Sequence, residues 1–308
     1  MNGSKDGPPE AVMKPLVSLL CVTHNRRDLV LPCLESCVRQ DYPALEILVV
    51  LNGSTDGTEE AIRREFPQAK IIRTHTNLGI FPALNLAIAN ASGDYIMNVD
   101  DDAYFMDSDA ITRLVEAFEE EPALGAVTCN LEGPTETPLN EGDCYVHCFP
   151  AGFTLLPKRV FTEWVGYYPD LFFRDAGETY VATALWDMGR PIKKLCQVRM
   201  YHWRAMQGRS DWDWKFHGLR SQILVTIMRE PWYLIAPSLI SKGCKSLIQF
   251  IRWGHFLTWL QAWWSALLHI STALRLRRPI RWRTRKLLWR LYNGAVSDPR
   301  VLKGFGLG

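Results

Sequence analysis

The chain lacks an apolar run at its start: Met1 to Lys14 is polar and contains several Gly and Pro residues. A secretory leader needs a continuous apolar stretch there, so residues 1–14 are expected to be a disordered tail on a cytoplasmic, reduced protein. A disulfide framework is also not expected. Eight cysteines are spread over 308 residues, and a chain of that size buries a core without staples. Cys33/Cys37 and Cys144/Cys148 stand four residues apart, which is not the spacing of a zinc ribbon. No internal repeat or low-complexity tract is present, and the formal net charge is only +2.

Charge is missing locally as well. Trp253 to Leu274 contains no Asp, Glu, Lys or Arg, and holds Trp253, Trp259, Trp263 and Trp264. Roughly 20 apolar residues suffice to cross a bilayer, but Gln261, His255, His269 and several hydroxyl side chains interrupt this run. Tryptophan favours the membrane–water interface. The stretch from Arg275 to Arg290 is strongly basic and has no acid in it, which suits anionic headgroups. The expectation is therefore peripheral attachment through 253–290 at the inner face of the cell membrane. A buried or homodimer-forming helix and a true span are the alternatives. No recognition motif supports nucleic acid as a partner of the basic tail.

What is present is an alternation of short apolar runs with helical periodicity. Val17–Val22, Ile47–Leu51, Ala69–Arg73 and Asp94–Val99 read as buried strands. Asp28–Gln40, Thr58–Phe66 and Pro82–Ala91 read as helices between them. Such alternation with short loops predicts an α/β fold, a mainly parallel sheet flanked by helices. Further on, Asp109–Glu120, Lys158–Val165 and Gly177–Met188 read as helices, and Gly125–Cys129, Phe153–Leu156 and Ile192–Tyr201 as strands. Asn130–Asp143 reads as a polar loop long enough to be functional.

Asp100-Asp101-Asp102 follows the apolar run Tyr95–Val99. Three carboxylates at the end of a buried strand are costly unless neutralised. Mg²⁺ or Mn²⁺ does this well, binding through one or two carboxylates plus substrate phosphates. Ligands also gather at strand ends in open α/β sheets. A metal–phosphate site is the chemical expectation; an acidic turn capping the next helix is the alternative.

Several motifs then occur in order: Val-Thr-His-Asn-Arg at 22–26, Asn-Gly-Ser-Thr-Asp-Gly-Thr at 52–58, Asn-Leu-Gly at 77–79 with Asn85, Gly-Asp-Tyr-Ile at 93–96, and the three aspartates. The set resembles glycosyltransferase family 2, the inverting GT-A-fold enzymes, over roughly 15–204. The Gly-Glu segment near residue 177 is shared with rhamnosyltransferase-like members.

The resemblance implies a nucleoside-diphosphate-sugar donor, a glycan or glycolipid hydroxyl acceptor and a divalent cation. It implies that Asp100 and Asp102 are the ends of a D-x-D motif, with Asp102 the direct ligand and Asp100 at the ribose or metal water. Asp101 would touch the sugar or face water. Thr23, Asn25 and Arg26 would lie where the family holds the nucleoside, unless Asn25 caps the next helix. Asn52, Asp56, Asn77, Gly79 and Asn85 join the donor set, with Asp56 alternatively holding its turn. Leu51 stands where the family's leading Asp is usual, so the nucleotide stays open. Glu178 is the implied general base and Asp175 its rival, although the usual acidic pair is incomplete. A helix N-terminus lowers a carboxylate's pKa, so a base there needs opposing desolvation; the plain alternative is that Glu178 caps its helix. His202 would complete the metal shell. Arg204 and Arg209 would lie in a lid, Ala205–Trp214, closing over the donor.

The implied organisation is a GT-A domain over 15–230, with a donor half to 104 and an acceptor half from 105, followed by an amphipathic, basic helical region over 231–308. A nucleotidyltransferase and an inactive GT-A scaffold are the competing readings.

Overall fold

The computed structural model describes residues 13–136, 138, 142–207, 210–294 and 296. Residues 1–12 of the expected tail 1–14, the lid residue Arg209, parts of the 130–143 loop and the last residues therefore lie outside the described residues.

The first half is the predicted alternation. Strands β1 (Val17–Thr23), β2 (Leu45–Asn52), β3 (Lys70–Thr74) and β4 (Tyr95–Val99) are joined through helices α1 (Arg27–Val38), α2 (Thr58–Glu65) and α3 (Ile80–Asn90). All four strands run parallel, in the order β3-β2-β1-β4. Every residue of β1 is buried, as a strand covered on both faces requires.

The second half adds β5 (Ala103–Phe105), α4 (Ala110–Glu120), β6 (Ala126–Glu132), β7 (Cys144–Tyr145), β8 (Phe153–Pro157), α5 (Gly177–Asp187) and β9 (Ile192–His202). The sheet continues β4-β8-β6-β9-β5, with β7 also on β9. β8 is antiparallel to both β4 and β6, and β6 and β9 run parallel. The expected helix at Lys158–Val165 is a single π turn, Val160–Trp164. The expected loop at Asn130 begins later, because β6 runs on to Glu132 beside β9.

The chain order turns back between β1 and β4, so the carboxyl ends of these two strands open a crevice. That is the position where open α/β sheets bind ligands. Phe81, Phe153, Phe161, Phe172 and Trp186 fill the core around it, each contributing about 1.5–3 kcal/mol on burial.

Five helices close the chain: α6 (Asp211–Arg229), α7 (Trp232–Arg252), α8 (Phe256–Leu268), α9 (Ile270–Arg275) and α10 (Trp282–Tyr292). The proposed lid is shorter than expected, since α6 starts at Asp211 with Ser210 Oγ accepting from the Asp213 amide. The apolar stretch Trp253–Leu274 is not one helix. Gly254, at φ +72°, separates α7 from α8, and a break at His269 separates α8 from α9. A helix of 13 residues is about 20 Å long, short of a bilayer core. Among the described residues no helix is long and apolar enough to cross a membrane. Ala262 and Ala266 face inward, while Leu257, Trp264 and Leu268 face outward.

Candidate active site

The acidic turn sits at the end of β4. It closes with the Ala103 amide donating to the Asp100 carbonyl, after which β5 pairs antiparallel with the end of β9, Ala103 opposite His202. That register brings His202 to Asp102. His202 Nε2 lies 3.3 Å from Asp102 Oδ1 and 4.0 Å from Asp100 Oδ2. Asp100, Asp102 and His202 each offer a ligand atom within 4.8 Å of one another.

The donor set suits a divalent cation, two carboxylates and an imidazole. His202 is 8% exposed, and neither ring nitrogen has a hydrogen-bond partner among the described residues. Buried polar atoms are normally satisfied, and coordination of a cation would satisfy this one.

The middle aspartate points elsewhere. The turn directs Asp101 toward the end of β1 and the loop after it, where Thr23 Oγ1 donates to its Oδ2 at 2.8 Å and Arg26 Nη1 to its Oδ1 at 2.8 Å. Asp101 is 6% exposed, so it does not face water as one expectation held. Burial pushes its carboxyl up to about 6, against the attraction of Arg26. Arg26 in turn donates to the carbonyls of Ala205 and Gln207, and the Ala205 amide donates to Asp102 Oδ2. One guanidinium thus ties the acidic turn to the loop after β9.

The loops around the crevice are held by their own polar side chains. Asn25, at φ +52°, accepts from the Thr55 amide and caps no helix. Asp56 accepts from Thr58 and from the Arg27 amide. Burial pushes this carboxyl up, but those hydrogen bonds outweigh it and hold it below the usual range. Asn52 bridges β2 to the next loop: it donates to Asn77 Oδ1 and the Gly79 carbonyl and accepts from the Leu78 amide. Gly79 has φ +88°, and a Cβ there would lie 2.4 Å from the Phe173 carbonyl oxygen. Asn85 departs from the expected donor set. Its amide is engaged at both ends by the Tyr168 backbone, where it latches α3 to the segment before α5.

Glu178 stands in the first turn of α5, after Asp175 and Ala176, both in the left-handed region at φ +59° and +66°. The residue is half-buried and its carboxyl is closely surrounded. Burial raises its pKa to about 7, its own backbone amide opposes this, and the charges of Asp175 and Asp100 add to the rise. Asp175 pairs with Arg174 Nε at 3.1 Å. Helix α6 supports this segment, with Ser221 Oγ donating to the Arg174 carbonyl and His217 stacked on Phe173.

Three residues of the site escape a reading of the sequence. Glu136 Oε1 lies 3.7 Å from His202 Nδ1 and accepts from Arg204 Nε at 2.6 Å; nothing marks it out in its polar loop. Asn98 donates to Asp100 Oδ1 at 3.0 Å. Gly152 faces Asp100, and a Cβ there would fall 2.3 Å from Asp100 Cγ.

The model of glycosyl transferase family 2 matches residues 18–176, more than half of the chain. The poly-beta-1,6-N-acetyl-D-glucosamine synthase of Staphylococcus epidermidis is 35% identical over 116 residues, 37% of this chain and 28% of the synthase. The match thus spans under a third of that relative's length. The mannosyltransferase PcManGT from Pyrobaculum calidifontis, solved with GDP-Man and Mn²⁺, superposes with a TM-score of 0.56 at 20% identity, over 93% of this chain and 87% of that one. S. aureus TarS 1–349 in complex with UDP gives a TM-score of 0.60 at 18% identity, over 90% and 87% of the two chains. These structural likenesses establish the GT-A fold, a central sheet flanked by helices, here with further helices at the C-terminus. The family match covers β1 to the start of α5, taking in the acidic turn at 100–102, and on that match the chain belongs to glycosyl transferase family 2.

Proposed function

We propose that this protein transfers a sugar, with inversion, from a nucleoside-diphosphate donor to a hydroxyl of a growing polysaccharide or glycolipid. The observation that carries the reading is the meeting of two groups at one cleft. Asp100, Asp102 and His202 converge within coordination reach, and Glu178, with a pKa raised to about 7, lies near enough to Asp100 to feel its charge. The catalytic unit is assigned to 15–230, with Asn130–Pro150 and the Phe172–Thr179 segment on the acceptor side.

Asp100, Asp102 and His202 would hold Mg²⁺ or Mn²⁺, which when bound neutralises charge on the departing diphosphate. Thr23, Asn25 and Arg26, with the loops at Asn52–Asp56 and Asn77–Gly79, shape the nucleoside end of the crevice. Asp101 acts by fixing Thr23 and Arg26, and Arg204 by holding Glu136 against His202. Glu178 accepts the proton of the acceptor hydroxyl. That oxygen forms the new bond to the anomeric carbon as the bond to the diphosphate oxygen breaks, and the nucleoside diphosphate leaves. A carboxylate with a pKa near neutrality matches that task. Asp175 is less suited, being paired with Arg174.

Attachment to an anionic membrane surface at the cytoplasmic face fits the outer side of the C-terminal helices. Trp232, Trp264, Leu268, Trp282 and Trp289 are exposed on these helices, and the 275–290 stretch is basic.

The test is Glu178→Gln. Donor-nucleotide binding should stay within about threefold of wild type while transfer falls by about 10²–10⁴-fold. Near-normal transfer would remove Glu178 from the mechanism.

A further inference from the structure

A cavity of about 1040 Å³ lies between α5, α6, α7 and α10, apart from the crevice at the acidic turn. Its charged lining is mainly cationic: Arg229, Lys242, Lys245 and Arg285, with Glu230 the acid among them. Glu230 pairs with Arg285 Nε at 2.9 Å, which leaves Arg229 and the two lysines in excess.

Arg229 is the unusual group. It is 5% exposed, its guanidinium lies 3.7 Å over the Tyr180 ring, and Nη1 donates to the Arg278 carbonyl. Nε and Nη2 are buried with no hydrogen-bond partner among the described residues. A buried, permanently charged fork with two unused donors is costly unless an anion meets it. Lys242 is held toward the same space by Gln222 Oε1 at 3.0 Å.

The remainder of the lining is divided. Ser238, Ser241, Thr183 and Thr226 offer hydroxyls, whereas Leu234, Pro237, Leu288 and Trp289 offer apolar surface. Trp289 and Tyr292 line the cavity and are also 64% and 72% exposed. The cavity therefore opens onto the exposed aromatic side of the C-terminal helices. Its lining also includes Thr179, the residue after Glu178.

We propose that this cavity binds the phosphate group of an amphiphilic phosphate ester, with the phosphate among Arg229, Lys242 and Lys245 and the apolar part along Leu234, Leu288 and Trp289. This is a second ligand site, separate from the donor crevice.

Calorimetric titration of the full chain with dioctanoyl phosphatidic acid, kept below its micelle concentration, tests it beside inorganic phosphate and dioctanoylglycerol. The expected result is saturable binding of the lipid phosphate, at least tenfold tighter than inorganic phosphate or the phosphate-free lipid. Arg229→Gln should weaken it at least tenfold. Should that buried substitution fail to fold, the Lys242→Gln/Lys245→Gln double variant carries the test with the same expected loss. Equal affinity for inorganic phosphate would overturn the amphiphile, and equal affinity for dioctanoylglycerol would overturn the phosphate contact. Absence of saturable binding, or binding unchanged in the variants, would overturn the site.

Discussion

Arg26 and Asp101 form a buried ion pair, Nη1 to Oδ1 at 2.8 Å, that joins the end of β1 to the acidic turn after β4. The same guanidinium carries the Ala205 and Gln207 carbonyls. Removing one partner of such a pair leaves a buried charge uncompensated, which costs about 3–5 kcal/mol. Arg26→Ala should therefore lower stability on that scale in a chemical melt, and should also weaken donor binding by releasing the loop after β9. Arg26→Lys should recover only part of both, because lysine cannot reach three acceptors with one planar fork.

Gly152 leaves room for Asp100. A methyl at 152 would lie within 2.3 Å of Asp100 Cγ, and the Asp100 carboxyl would have to turn away. Gly152→Ala should weaken Mn²⁺ affinity about tenfold or more while shifting the melting temperature little. A variant that melts as wild type and binds Mn²⁺ as wild type would contradict this placement.

Two carboxyls have pKa values raised on folding, Glu178 from 4.5 to about 7 and Asp101 from 3.8 to about 6. Between the unfolded and folded values the native state binds more protons, so stability falls as pH rises through this window. Glu178→Gln removes one of these groups. It should stabilise the metal-free protein by about 1–3 kcal/mol at pH 8, and hardly at all at pH 4. Equal stabilisation at both values would show that the Glu178 charge is not strained.

In the proposed mechanism the same group sets the pH dependence of turnover. Glu178 must be ionised to accept a proton, so kcat/KM should rise about tenfold per unit on the acid side and level off near or somewhat below pH 7. A cation held by Asp100 cancels one of the charges that raise Glu178, which moves the limb downward. The limb should be missing from the residual activity of Glu178→Gln.

The parallel half of the fold is legible because β1, β2 and β4 are short apolar runs between strong turn signals, and their pairing follows from alternation with helices. Three features of the site were not legible. β5 is three residues long, too short to stand out as a strand, yet its register with β9 sets His202 beside Asp102. Three consecutive aspartates look equivalent in a sequence, and only the turn geometry decides that Asp101 faces Thr23 and Arg26. Asn85 has the residue type of a ligand contact, but its partner is the Tyr168 backbone, 83 positions away. At the C-terminus, composition suggests one continuous apolar segment, whereas the structure breaks it at Gly254 and His269.

The central claim is that Asp100, Asp102 and His202 bind a divalent cation that secures a nucleoside diphosphate. The most direct measurement is calorimetric titration of wild type, Asp102→Asn and His202→Ala with UDP, dTDP and GDP, with and without Mn²⁺. The account predicts that one nucleotide binds wild type in a Mn²⁺-dependent manner, and that this dependence is lost in Asp102→Asn and reduced at least tenfold in His202→Ala. Binding of equal strength without Mn²⁺, or binding untouched by both substitutions, would contradict it.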